Sequence, residues 1–125
     1  MERLFKVLGD TNRLRLIHIL TKGELCVCEL EVILDLTQSN VSRHLTKLRE
    51  EGILEGYKDG LWIHYRITEE FKSRHRVLFS YLVEEFQHQK VFTRDLERYQ
   101  RYTGNHLSCT LITQDRRSVI NLIEK

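Results

Sequence analysis

Leu36-Thr37-Gln38-Ser39-Asn40-Val41-Ser42-Arg43-His44-Leu45-Thr46-Lys47-Leu48 is the stretch whose period sets the fold. At about 100° per residue, Val41, Leu45 and Leu48 fall in one narrow arc, the mark of a helix with a single buried stripe. Thr37 offers a hydroxyl to the orphan N–H groups of the first turn, and Gly52 ends the helix after about Glu51. Just upstream, a shorter helix from about Cys26 to Leu34 buries Leu30, Ile33 and Leu34, and only Asp35-Leu36-Thr37 connects the two. Two helices joined that tightly read as a helix-turn-helix. Further upstream, Leu4, Phe5 and Leu8 mark a first helix ended by Gly9. Asp10, Thr11 or Asn12 can cap a second, whose buried side is Leu14, Leu16, Ile17, Ile19 and Leu20.

Downstream the period changes from helical to alternating. In Leu61-Trp62-Ile63-His64-Tyr65-Arg66-Ile67 the residues Leu61, Ile63, Tyr65 and Ile67 alternate with Trp62, His64 and Arg66, which predicts a half-buried strand. Ile53 to Tyr57 is its expected partner, with Asp59-Gly60 as a two-residue hairpin turn. A long helix is expected from Glu69 or Glu70, carrying Leu78, Leu82 and Phe86 in one row with Phe79 and Val83 beside it. A further helical piece runs from Arg94 to Tyr102, and His106 to Lys125 reads as a tail with a terminal helix. Helices, then a hairpin, then a helix give an α+β, mainly helical chain: a winged helix-turn-helix with a two-stranded wing. Residues 1–90 are expected to form the DNA-binding and dimerisation domain, and 91–125 a C-terminal helical extension.

The 125 residues include 41% hydrophobic and 30% charged, enough for a packed core and too ordered a mixture for a disordered chain. Twenty basic residues against 18 acidic leave a net charge of only +2, so nucleic-acid binding has to come from local placement. No apolar run approaches the ~18 residues a bilayer requires, and no leader pattern opens the chain, which predicts a cytoplasmic protein without membrane contact. Three cysteines are too few for a disulfide framework. No phosphate loop, nucleophile elbow or zinc-protease histidine pair is visible, so no catalytic residue is assigned and an enzyme is not expected.

The face of the 38–51 helix opposite its buried stripe carries Ser39, Asn40, Arg43, Thr46 and Lys47, flanked by Gln38, Ser42 and His44. Short polar side chains near the helix start can reach base edges, while Arg43 and Lys47 suit guanine edges or phosphates. Lys58, beside the wing turn, is placed for a neighbouring phosphate. Gln38, Ser39, Asn40, Ser42, Arg43, His44, Lys47 and Lys58 are therefore the candidate DNA contacts.

Glu24-Leu25-Cys26-Val27-Cys28-Glu29-Leu30 carries the second candidate site. Residues i and i+2 lie about 200° apart on a helix, so both thiols can meet one ion only before the helix begins or by bending its first turn. The start of a helix favours thiolate, and thiolates suit soft metals.

Residues 24–30, with 36–45 and Gly60-Leu61-Trp62-Ile63-His64-Tyr65-Arg66-Ile67, resemble the arsenic-responsive branch of the ArsR/SmtB family of metal-sensing repressors, over about residues 1 to 89. The resemblance implies a homodimer joined through the first and long helices. It would bind an inverted-repeat operator and be released by arsenite or antimonite as inducer, without a permanent cofactor. In that branch Cys26 and Cys28 correspond to two arsenic ligands. A third cysteine usually follows three residues on, where this chain has Glu31, and Cys109 is the expected replacement. A cadmium/lead- or zinc-type sensor, or another thiophilic metal, is the alternative, as is a thiol redox regulator. The zinc pattern is missing: Ser73-Arg74-His75, Phe86 and Gln89 occupy its places, so His75 and His88 are expected to be surface histidines.

Overall fold

The computed structural model describes residues 1–124. Helices α1 (Glu2–Leu8), α2 (Thr11–Leu20), α3 (Val27–Leu34) and α4 (Gln38–Glu50) precede the hairpin of β2 (Leu54–Asp59) and β3 (Trp62–Ile67). Asp10 caps α2 by accepting from the Arg13 N–H at 3.1 Å, and Thr37 caps α4 by accepting from that of Asn40 at 3.3 Å. Asp35 ends α3 in the left-handed conformation (φ 54°), which turns the chain sharply into α4. The winged helix-turn-helix expected from the sequence is present.

The wing differs in three details. A short strand β1 (Leu25–Cys26), too brief to leave a periodic signal, pairs antiparallel with β3, so the sheet has three strands in the order β1-β3-β2. Asp59 pairs with Trp62, so the two-residue turn is Gly60-Leu61, one position later than expected, with Gly60 at φ +63°. Leu61 and Ile63 are exposed, because the tip projects beyond the body that could cover them; only Tyr65 and Ile67 of the expected apolar row are buried. Gly56 faces Tyr65 in the ladder, and a Cβ there would come within 2.9 Å of the Tyr65 ring.

The expected long helix is divided. Thr68 caps α5 (Glu69–Arg74), His75 leaves helical geometry (φ −113°, ψ 44°), and α6 (Arg76–Glu85) continues from it. Then come α7 (Lys90–Gly104), α8 (Cys109–Gln114) and α9 (Arg116–Ile123), so the described part of the expected tail carries two short helices. Helix α7 packs along α2 and α3, and Ile112, Val119 and Ile123 join the same buried cluster as Leu30, Ile33 and Leu45. No described helix is long and apolar enough to cross a membrane.

Candidate functional site

The thiols lie where β1 becomes α3. Cys26 is the last residue before α3, extended at φ −87° and ψ 166°, while Cys28 already belongs to the first turn. That boundary solves the facing problem of a Cys-x-Cys pair: the Cys26 and Cys28 sulfurs stand 3.0 Å apart with the helix undistorted. Cys109, the first residue of α8, brings the third sulfur, and all three lie within 4.8 Å of one another. Cys26 and Cys109 are joined as a disulfide across 83 residues of sequence, and Cys28 is free.

The surroundings correct one expectation. Burial, then the nearby carboxylates Glu29 and Glu31, push the Cys28 thiol up to about 11 rather than toward thiolate. Both carboxylates are held in place. Glu29 accepts from the Cys26 N–H at 3.0 Å and from the Tyr102 hydroxyl on α7, which fixes the backbone just before the helix. Glu31 is buried, with its carboxylate 3.3 Å from Arg116 of α9. Its carboxylate is engaged in this ion pair while also lining the recess beside Cys26 and Cys28.

On α4, Val41, Leu45 and Leu48 are buried, as the wheel requires. Gln38, Ser39, Ser42, Arg43 and Lys47 are exposed and Asn40 half-exposed, with the Asn40 side-chain oxygen accepting from Arg43 at 3.0 Å. Lys58 is exposed on the wing. His44 does not belong with them. It is 3% exposed, its Nδ1 lies 3.2 Å from the Arg13 guanidinium, and burial holds it below its ordinary value. With a permanent cation against Nδ1, that nitrogen is the acceptor, and His44 fastens α4 to α2 instead of facing solvent.

A family model described as "Bacterial regulatory protein, arsR family" matches residues 10–55, the span from the α2 cap to the start of the wing. The arsenical resistance operon repressor of Escherichia coli (strain K12) is 49% identical over 67 residues, 53% of this chain and 57% of that protein. The arsenical resistance operon repressor of Bacillus subtilis (strain 168) is 36% identical over 70 residues, covering 55% of this chain and 67% of that one. The crystal structure of the antimony-specific transcriptional repressor AntR superposes with a TM-score of 0.53 at 39% identity, over 69% of this chain and 78% of that chain.

The chain belongs to the ArsR family. It spans a little over half the length of the first curated relatives it matches. The matched ArsR-family model, the Escherichia coli relative and the AntR structure carry the names of transcription regulators. Beyond the matched region of this ArsR-family chain, α7 and α8 supply Tyr102 and Cys109; inside it, β1 left no local signal in the sequence. Cys109 was legible as a soft donor; Tyr102 was named only as the end of a helical piece, with nothing to mark its role beside the thiols. Of the two expected surface histidines, His88 is exposed beside Glu84, and His75 is half-buried against the Phe71 ring.

Proposed function

We propose that this chain is a cytoplasmic DNA-binding repressor of transcription, released from its operator when trivalent arsenic or antimony binds the thiolates of Cys26, Cys28 and Cys109. The observation that carries the reading is the gathering of three sulfurs from two distant segments into one 4.8 Å cluster. Three soft donors at that separation suit a thiophilic three-coordinate centre better than a hard cation. The names of the relatives support the same effector class.

Release does not require α3 to bend, because Cys26 already precedes it. The connection runs through β1 instead. Cys26 pairs with His64 and Leu25 with Tyr65 in the wing strand, so a ligand tying Cys26 to α8 acts directly on the wing's backbone ladder. Effector and operator then oppose each other through one coupling energy, on the order of 1–3 kcal/mol or about 5–150-fold in affinity.

Exposed apolar side chains on α1 and α6, namely Phe5, Val77 and Tyr81, suit a twofold interface over an inverted repeat, with recognition helices about 34 Å apart. On the same two helices Leu4, Leu8 and Leu82, with Phe86 just after α6, are buried in the chain's own core and fill the domain instead. Tyr81→Glu is therefore the substitution that should give monomers.

The test is a gel shift on operator DNA with reduced protein, titrated with arsenite, antimonite, cadmium and zinc. Arsenite or antimonite should release the wild type, while Cys28→Ser and Cys109→Ser should stay bound. X-ray absorption should count three sulfur neighbours in the wild type and two in Cys109→Ser. Release of Cys109→Ser at wild-type arsenite concentrations would remove Cys109 from the site. Arg43→Ala should weaken operator binding by about 1–3 kcal/mol with the fold intact.

The Cys26–Cys109 disulfide favours a second reading, in which oxidation is the signal. A peroxide takes two electrons from the two thiols, the sulfurs join, and the thiol protons leave with the peroxide oxygens as water or alcohol. A gel shift comparing oxidised and reduced protein without metalloid separates the readings: a redox regulator changes its operator affinity there, and an arsenic sensor does not.

A further inference from the structure

A recess of about 360 Å³ opens where the end of α2 meets the link between α6 and α7, and none of its lining residues belongs to the thiol cluster or to α4. Its floor is aromatic. The His18 ring lies 4.9 Å from that of Phe86 and 5.5 Å from that of Phe92, and the two phenyl rings are 4.8 Å apart and tilted. Val83 of α6 and Leu96 of α7 add apolar wall. Thr21 and Thr93 also line it, but their hydroxyls already donate to the His18 and Gln89 carbonyls. That leaves three polar groups open to a ligand: the Gln87 amide, the His18 ring and the Lys22 ammonium. No carboxylate is among the described lining residues, so the one charge presented is positive.

Among the described residues, the His18 Nδ1 alone is a buried side-chain polar atom without a hydrogen-bond partner. It is sealed from solvent, so Nε2 is the ring nitrogen that the recess can reach. Burial, with a smaller contribution from Lys22, lowers the imidazole from 6.5 to about 4, so at neutral pH it carries one proton. An N–H without an acceptor is rarer in protein interiors than an acceptor without a donor, which puts that proton on Nε2. The recess therefore offers an N–H and an ammonium over an aromatic floor. We propose that it binds a small aromatic monocarboxylate, the ring packed on Phe86 and Phe92 and the carboxylate accepting from His18 Nε2–H and from Lys22. A third ring extends the tilted aromatic pair, and the charge-assisted contact with Lys22 fixes the direction of the acid. Ligand sites run from about 300 to 1,000 Å³, and a single-ring acid suits one at the small end. The acid ties α2 to the link between α6 and α7. It is a second effector class bound apart from the thiols, so the inference stands or falls whatever arsenite does.

The experiment titrates the full chain with benzoate, reading heat by calorimetry and the His18 imidazole nitrogens by NMR. Saturable binding is expected with a Kd of about 1 mM or tighter, together with a shift of the Nε2 resonance. Benzamide, the same ring without the charge, should bind at least about fivefold more weakly. Acetate, the carboxylate without the ring, should not saturate at about ten times the benzoate Kd. Lys22→Gln, at an exposed position, should weaken benzoate about threefold and leave benzamide unchanged. His18→Phe keeps a ring and removes the N–H, and should weaken benzoate at least about tenfold. If that variant does not fold, Lys22→Gln and the benzamide comparison decide alone. Absence of saturable benzoate binding overturns the site. Benzamide binding as tightly as benzoate, or Lys22→Gln binding benzoate like wild type, overturns the assignment of an acid. Acetate saturating as readily as benzoate overturns the aromatic part.

Discussion

Helix α7 is fastened differently at its two ends. Its first half meets α2 through Phe92, whose ring lies 5.5 Å from His18 and 4.8 Å from Phe86, and through Asp95, which accepts from Arg15 at 2.7 and 3.0 Å. Its second half meets α3. Arg98 donates to the Ile33 and Val32 carbonyls at 2.7 and 2.8 Å, Tyr102 donates to Glu29, and the chain runs on to Cys109. Arg98, with Arg15 on the Leu34 carbonyl, satisfies the orphan carbonyls at the end of α3. The first half is held by packing and permanent charge, whatever the thiols are doing. The second half ends in a fastening whose strength depends on the chemistry of three sulfurs. A sensor needs both: a part that keeps the fold and a part that the ligand can change.

The largest expected effect tests the permanent half. Burial pushes the Asp95 carboxyl above the usual carboxylate range, against the pull of Arg15, so the pair itself adds little to stability. Removing one partner is another matter, because Arg15 is then left in a site where its side chain is 13% exposed. Asp95→Ala should lose about 3–5 kcal/mol in urea unfolding while arsenite affinity in the folded protein is unchanged. A loss of affinity as large as the loss of stability would mean that the two halves of α7 are not separable.

The next effect is a pH dependence in the same half. His18 is 5% exposed, its Nδ1 has no partner among the described residues, and burial, with a smaller contribution from Lys22, lowers it from 6.5 to about 4. Above pH 6.5 the imidazole is neutral in both the folded and unfolded chain, and its contribution is complete. As the pH falls from 6.5 toward 4, the unfolded chain takes up a proton that the folded chain refuses. Stability should therefore drop by up to about 3 kcal/mol over that window. His18→Leu should flatten the slope; an unchanged slope would assign the acid sensitivity to another group.

The two halves were also unequally legible in the sequence. The first four helices, the Thr37 cap and the buried stripe of α4 follow from periodicity and capping chemistry, which are local. His44 misled because a wheel places a residue on a flank without showing that Arg13, 31 positions away, comes to meet it. The break at His75 carries no glycine or proline to announce it. Strand β1 is two residues long and exists only because β3 is already there to pair with it. Cys26 and Cys28 stood out by spacing. The position of Cys109 beside them depends on how α7 turns back across α3, and no short-range pattern encodes that.

The smallest expected effect is the one that best separates the halves. The Tyr102 hydroxyl holds one Glu29 oxygen while the other accepts from the Cys26 N–H, so Tyr102 orients the backbone that carries the first sulfur without touching any ligand. In Tyr102→Phe the ring, 2% exposed, keeps its packing, and half-exposed Glu29 can turn its freed oxygen toward water. The stability loss should be only about 1 kcal/mol. Cys26 is then less well placed relative to Cys28, as when an outer partner of a metal ligand is lost, and arsenite affinity should fall about tenfold. Asp95→Ala is expected to lose stability and keep affinity; Tyr102→Phe is expected to keep most of its stability and lose affinity. Urea unfolding and arsenite titration of both variants give four numbers. If Tyr102→Phe binds arsenite like wild type, the Tyr102–Glu29 link is structural only, and the second half of α7 is as indifferent to the thiols as the first.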